Sequence, residues 1–290
     1  MADHGKHRSK AASIGEVLRA PAGVVRLVDH DPAGTPGFRG GKKEAAAAKA
    51  AIVEELDDLQ ERLYATGVSD PAGAPSVLLV LQGMDTSGKG GVIRHVAGLV
   101  DPQGVQLKAF KAPNAEEREH DFLWRIRNAL PRPGMIGVFD RSHYEDVLVV
   151  RVDGLFPQDV WEARYEQINA FEAEVAASGT TIVKCMLHIS PQEQRRRLLS
   201  RLANPAKHWK YNPGDVDARQ KWPAYQEAYE AALTRCGTEV APWHIVPSDH
   251  EWYRNWAIAE LLRETLAGLD LRWPAARFDV AVERERVEAC

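Results

Sequence analysis

The run Val77-Leu78-Leu79-Val80-Leu81 passes directly into Gln82-Gly83-Met84-Asp85-Thr86-Ser87-Gly88-Lys89-Gly90-Gly91. This junction constrains the fold more than any other stretch of the chain. Five consecutive apolar residues predict a buried strand, and Val92, Ile93 and Val96 beyond the glycines predict a helix. A strand, a glycine-rich loop and a helix in that order form a cradle for phosphate. Gly83 and Gly88 permit backbone conformations closed to other residues. The freed amides of the loop, at Thr86, Ser87, Gly88 and Gly90, then face an anion at a helix N-terminus. Lys89 adds a mobile cation. The bland alternative is an ordinary glycine turn between strand and helix. The spacing Gly83…Gly88-Lys89 fits G-x-x-x-x-G-K, but Gly90 stands where a Ser or Thr hydroxyl normally holds Mg²⁺. A metal is therefore expected on Asp85, inside the loop, because an acid beside a polyanion needs a cation between them.

A second acid belongs at the end of a neighbouring strand. Ile136-Gly137-Val138-Phe139 delivers Asp140, followed at once by Arg141. In a parallel sheet both Asp140 and the glycine loop sit at the carboxyl ends of strands, where ligands bind. Asp85 and Asp140 are assigned to Mg²⁺, with Mn²⁺ as a substitute, since Mg²⁺ takes one or two carboxylates plus phosphate oxygens and waters. Arg141 is assigned to charge on a transferring phosphoryl group. The competing reading makes Asp140 a simple cap for a helix starting near Tyr144.

The rest of the chain alternates strands and helices. Helices are expected over 42–66, ended by Gly67, and over 116–130, 144–151, 158–177 and 252–266. Strands are expected over 105–110, 180–189 and 244–247. This alternation implies an α/β fold with a parallel sheet and helices on both faces. Residues 1–40 read as an irregular arm, lying on the domain or partly disordered, with Lys6, Arg8 and Lys10 solvated. Residues 41–275 form the domain, and 276–290 a tail.

The segment 194–222 is dense in cations, among them Arg197, Arg201, Lys207 and Lys210, and only Asp215 and Asp217 oppose them. Following a core strand, and interrupted by Pro205, Pro213 and Gly214, it reads as a helical lid that closes over the phosphate loop. A row of cations also suits a long polyanion. The plainer alternative is a solvated basic face. Tyr225 and Tyr229, one turn apart, read as packing. The histidines show no ligand spacing, and no G-x-S-x-G surrounds Ser142, which argues against acyl transfer.

Composition narrows the partners. The formal net charge of -4 means that any polyanion site is a local patch rather than a global field, and no nucleic-acid partner is expected. The apolar runs are too short to span a bilayer. Three cysteines without metal-like spacing, and no apolar stretch after the basic Met1–Lys10, point to a reducing cytoplasm.

Taken together, Gly83–Gly91, Asp140-Arg141-Ser142-His143-Tyr144-Glu145-Asp146 and the lid motif Trp209-Lys210-Tyr211-Asn212-Pro213-Gly214-Asp215 resemble the second polyphosphate kinase family. Phe110–Pro113, His120–Arg125 and Trp252–Asn255 resemble it too, so the likeness spans about residues 40–275. It implies a P-loop kinase fold similar to thymidylate kinase, and Mg²⁺-dependent phosphoryl transfer between inorganic polyphosphate and a nucleotide. Carried over by position, it implies Asp85 and Asp140 for metal and catalysis, and Lys89 and Arg141 for phosphates. It implies Arg197, Arg201, Lys207 and Lys210 for the polyphosphate chain or the transferring group, Lys111 and Arg125 on the nucleotide side, and a homodimer or homotetramer. His250 and Glu251 depart from the family's usual lysines. The stretch His143–Val147 looks most like the branch that accepts both nucleoside mono- and diphosphates, while Asp140 leans towards diphosphates. The expected reaction is ADP to ATP, with AMP as a second acceptor. The rival readings are an ATP-dependent small-molecule or nucleoside monophosphate kinase, and a non-catalytic nucleotide or polyphosphate sensor.

Overall fold

The computed structural model describes residues 12–290. Lys6, Arg8 and Lys10 lie outside the described residues. The elements in chain order are α1 (Ile14–Leu18), α2 (Lys42–Ser69), β1 (Ser76–Gln82), α3 (Lys89–His95), β2 (Val105–Ala109), α4 (Trp124–Arg127), β3 (Ile136–Asp140), α5 (Val149–Val152) and α6 (Gln158–Ala177). They continue with β4 (Thr180–His188), α7 (Pro191–Leu202), α8 (Gly214–Gln220), α9 (Trp222–Arg235), β5 (Trp243–Pro247), α10 (Glu251–Ala267) and α11 (Val280–Glu288).

All five strands are parallel, in the order β2-β3-β1-β4-β5. β1 is central and every one of its residues is buried, which is why its sequence is continuously apolar rather than alternating. α2, α3 and α10 cover one face, where Leu56, Leu63, Val92, Ile258 and Leu262 share a core with Leu79 and Leu81. α6 and α9 cover the other, with Ile168, Tyr229 and Leu233 packed beside Met186 and Ile245. The register sets Leu81 of β1 beside Asp140 of β3. The chain turns from one side of β1 to the other at this point, so the crevice at the strands' carboxyl ends opens there.

Three sequence expectations need correction. Gly67 does not stop α2, which runs on to Ser69. A Cβ on Gly67 would lie 2.6 Å from the Pro133 carbonyl and 2.7 Å from Gly134 Cα, so this glycine serves close packing. The helix expected over 116–130 breaks into a 3₁₀ turn, Glu117–Glu119, and α4. His120 is extended between them, and the Asp121 carboxylate takes the Leu123 amide (2.9 Å), which restarts the chain locally. The helix expected over 144–151 is a 3₁₀ turn, His143–Asp146, followed by α5. Residues 12–40 lie on the domain, with α1 and a 3₁₀ turn, Leu27–Asp29, as their helical pieces. Ser13 and Glu16 form a capping box on α1, the Glu264 carboxylate accepts from the amides of Ile14 and Gly15 (2.9 and 3.0 Å), and Ile14, Leu18, Val25 and Leu27 are buried. The tail beyond 275 carries α11, a helix with no buried residue.

Candidate active site

The loop between β1 and α3 departs from ordinary backbone where the glycines stand. Gly83 has φ +150° and Gly88 φ +112°. A Cβ at Gly83 would lie 2.7 Å from the Leu187 carbonyl. Thr86 and Arg141 also have φ of +65°, a conformation that costs a non-glycine residue roughly 1–3 kcal/mol and clusters at functional sites.

The loop's carbonyls are captured from outside. Gln194 of α7 donates to the Asp85 carbonyl (3.1 Å), and Arg197 of α7 donates to those of Thr86 (2.9 Å) and Ser87 (3.1 Å). Arg254 of α10 donates to Ser87 as well (3.0 Å). Among the described residues, the amides of Thr86, Gly88, Lys89 and Gly90 have no acceptor and the buried hydroxyls of Thr86 and Ser87 have no partner, while the Ser87 amide, expected to face the anion, donates instead to the Met84 carbonyl (3.0 Å). Buried polar groups are normally satisfied, so this set of donors is built to meet a ligand. The unpaired amides at a helix start offer it a positive field. Lys89 is buried and its Nζ donates to the Gly83 carbonyl (2.8 Å), closing the loop on itself. Burial pushes its pKa down, Arg141 adds to this, and Asp85 and Asp140 oppose it.

Asp85 is ion-paired with Arg141, whose other amino group holds Glu145 (2.9 Å). Glu145, more than Asp85, raises the Arg141 pKa against the cost of burial. Asp140 makes no side-chain hydrogen bond or ion pair to a described residue, and the cap of the following turn is Ser142, whose Oγ accepts from the Tyr144 amide (3.2 Å). The capping role considered for Asp140 therefore falls to Ser142. Two carboxylates and two unpartnered hydroxyls are hard oxygen donors, and their chemistry fits Mg²⁺. Among the described residues no cluster of three acids, histidines or cysteines could hold a metal alone.

The lid cations divide. Arg197 is buried, with its donors on the loop and on the Ser248 carbonyl (2.6 Å). Arg201 is held by Asp215 (3.2 Å) and the Lys210 carbonyl (3.0 Å). Lys207 and Lys210 stand exposed, with the Lys210 ammonium over the ring of the exposed Trp209. On the nucleotide side, Lys111 is exposed, while Arg125 is buried over Phe110 and donates to the Lys111 carbonyl (2.8 Å). Arg125 also faces Asp146 (3.7 Å), which Arg164 holds at 3.0 Å. Burial raises the Asp146 pKa to about 6 despite both arginines. Tyr225 and Tyr229, read from sequence as packing, are buried and also line the cleft between Asp85, Arg141 and α8. Gln194 and the loop-clamping role of Arg254 escaped sequence reasoning. Gln194 lies beside three arginines that mask it, and the Arg254 contact joins segments 167 residues apart.

A parallel sheet with this loop at the end of its central strand, a second acid on the adjacent strand and a basic helical lid define a P-loop phosphotransferase. Comparison with known proteins narrows the class. The sequence model of the family described as Polyphosphate kinase 2 (PPK2) matches residues 40–272, and the chain belongs to that family. It is 48% identical over 254 residues to the AMP/ADP-polyphosphate phosphotransferase of Meiothermus ruber, covering 88% of this chain and 93% of that protein. It is 43% identical over 234 residues to the ADP-polyphosphate phosphotransferase of Rhodopseudomonas palustris, covering 77% and 79%. The crystal structure of polyphosphate kinase 2 from Arthrobacter aurescens TC1 superposes with a TM-score of 0.92 at 50% identity, covering 97% of this chain and 98% of that one.

Proposed function

We propose that this protein transfers a phosphoryl group between inorganic polyphosphate and a nucleotide, forming ATP from ADP and, as a second reaction, ADP from AMP. The observation that carries the reading is the phosphate loop itself. Its carbonyls are turned outward into Gln194, Arg197 and Arg254, and, among the described residues, the amides of Thr86, Gly88, Lys89 and Gly90 and the hydroxyls of Thr86 and Ser87 are left without partners beside Asp85, Lys89, Asp140 and Arg141. Such a cradle positions and neutralises, which is most of what phosphoryl transfer asks of a protein.

In this mechanism the amides of Thr86, Gly88, Lys89 and Gly90 and the Lys89 ammonium bind the transferred phosphate. Arg141 leaves Asp85 to balance charge on its equatorial oxygens. Asp85 and Asp140 would hold Mg²⁺, which would offset charge on the phosphate oxygens. The exposed Lys207 and Lys210 meet the polyphosphate chain. Arg197 acts by holding the loop, and Arg201 by holding the lid turn through Asp215. Lys111, placed through its carbonyl by Arg125, faces the nucleotide. The names of the two curated relatives support ADP as acceptor, and the Meiothermus ruber protein supports AMP beside it. The working form is a homo-oligomer in a reducing cytoplasm.

The test is nucleotide formation by purified protein with Mg²⁺ and long-chain polyphosphate. Product from both ADP and AMP is expected. Product from ADP alone would remove the second acceptor. Turnover only with ATP as donor, indifferent to polyphosphate, would overturn the reading.

A further inference from the structure

The Arg254 side chain is only 1% exposed, yet no described carboxylate pairs with it. Its Nη1 donates to the Ser87 carbonyl (3.0 Å), and Nε and Nη2 both donate to Asn255 Oδ1 (3.2 and 3.0 Å). A second guanidinium, that of Arg197, donates to the same Ser87 oxygen (3.1 Å). Burying two like charges against one neutral carbonyl is costly, and such an arrangement persists only where something offsets it. The local cost is visible in the Arg254 pKa, which burial and then Arg197 push down to about 10 although the Glu251 carboxylate opposes them from a distance.

The surrounding backbone is cut to admit this group. A Cβ on Gly88 would lie 1.7 Å from Arg254 Nη1, and one on Gly91 would lie 2.7 Å from Nη2. Neither glycine can be replaced while the guanidinium stays where it is. The consequence follows from the planarity of the peptide group. With the Ser87 oxygen fixed outward, the Gly88 N–H of the same peptide must point the opposite way, into the cradle, where it has no described acceptor.

We infer that Arg254 is a positioning residue for phosphoryl transfer: it fixes the Ser87–Gly88 peptide so that the Gly88 amide meets the transferred phosphate, and its unpaired charge is balanced by that phosphate when the loop is loaded. The inference rests on the phosphate-loop reading above and adds α10 to the elements that build the site. Arg197 supplies the same carbonyl contact from the lid helix, so the loop is gripped between two elements. Only Arg197 is paired with a carboxylate at hydrogen-bond distance, Glu193 at 2.7 Å, which leaves Arg254 as the cation that the ligand must answer.

The experiment compares wild type, R254Q, R254K, G91A and the G91A/R254K double variant in the full chain. Initial rates with ADP, Mg²⁺ and polyphosphate are measured alongside tripolyphosphate affinity by calorimetry and thermal stability. R254Q is expected to lower kcat by roughly 10- to 100-fold, the scale of a small misplacement of a reacting group. It should weaken tripolyphosphate binding and leave the KM for ADP unchanged. R254K, which keeps the charge but loses the fork, should fall between. If R254Q does not fold, G91A decides the matter, because its methyl group displaces the guanidinium without removing a buried charge. It should reproduce the kcat loss, and adding R254K should cost little more. Wild type without polyphosphate-dependent turnover would sink the functional reading itself. Active wild type together with R254Q or G91A at wild-type kcat and tripolyphosphate affinity, whatever their stability, would overturn the role of Arg254.

Discussion

Lys89 shows how one side chain can carry both structure and chemistry. In the closed loop its ammonium bonds the Gly83 carbonyl at 2.8 Å, and its pKa lies below the ordinary lysine value because the group is buried. A bound polyanion stabilises the charged form and reverses that shift. In the free enzyme Lys89 thus loses its proton at a lower pH than an exposed lysine, and in the loaded enzyme at a higher one. The kcat/KM for polyphosphate should fall with rising pH before kcat does, since the first reports the free enzyme and the second the complex. Paired pH–rate profiles check this, and coincident alkaline limbs would contradict it. K89A should lose at least about two orders of magnitude in turnover. D85N and D140N should fail similarly at saturating nucleotide, with an unchanged circular dichroism spectrum. The loop was legible in the sequence because the glycine spacing encodes a local backbone path. Arg254 was not, because nothing local in Trp252–Asn255 indicates which carbonyl its guanidinium will reach.

At the scale of elements, α7 does two jobs on two faces. Ser190 caps it, its Oγ accepting from the Glu193 amide (3.1 Å), and Pro191 starts it. Its inner face then presents Gln194 and Arg197, one turn apart, to the loop. Its far end leads to the exposed Lys207 and Lys210. The sequence marked this segment as one basic lid, and the structure divides it into a buried clamp and an exposed tip. The difference lies in which helix face meets the loop, and charge count alone does not carry that. The two halves should respond differently to substitution. K207A/K210A should raise the KM for long-chain polyphosphate several-fold and make it less sensitive to added salt, with little change in stability, because exposed charges are screened and contribute little to the fold. R197K should lower kcat instead, since a lysine cannot hold the carbonyls of Thr86, Ser87 and Ser248 together. Steady-state kinetics at low and high salt separates the two. A kcat effect at the tip, or a pure KM effect at the clamp, would contradict the division. The 116–130 segment was misread at this scale for a similar reason: Phe122, Ile126 and Leu130 keep helical spacing, but Asp121 takes a backbone amide and interrupts the helix.

Across the whole molecule, the turn that carries Asp140 and Arg141 is tied to the far side of the sheet by a buried polar network. Lys184 of β4 donates to Glu172 of α6 (2.6 Å), to the Tyr144 hydroxyl (2.7 Å) and to the carbonyl of Cys236 (2.7 Å) after α9. Tyr144 donates to Glu172 (2.8 Å), and His143 Nε2 lies 3.1 Å from the same carboxylate. Arg197 and Arg254 fix the phosphate loop from one side of β1, and this network fixes the Asp140–Arg141 turn from the other. The proposed catalytic groups thus sit among three buried cations, Arg197, Arg254 and Lys184, drawn from distant parts of the chain. The parallel sheet followed from the alternation of elements, but a lysine inside an apolar strand gives no sign of which acid it will meet. Breaking such a pair leaves a bare buried charge, so E172Q should destabilise the fold by about 3 kcal/mol or more, a Tm lower by roughly 6 °C or more for a chain of this size. Although burial alone would raise its pKa, Lys184 and His143 together lower the Glu172 pKa below the ordinary glutamate value. A carboxylate whose folded pKa is depressed stabilises the fold fully above its unfolded pKa and loses that contribution as the pH falls towards the folded value. The Tm gap between wild type and E172Q should therefore be widest near neutrality and narrow steadily in acid, starting at the ordinary glutamate range. A gap independent of pH down to that range and below would mean that Glu172 is held by packing rather than by its charge.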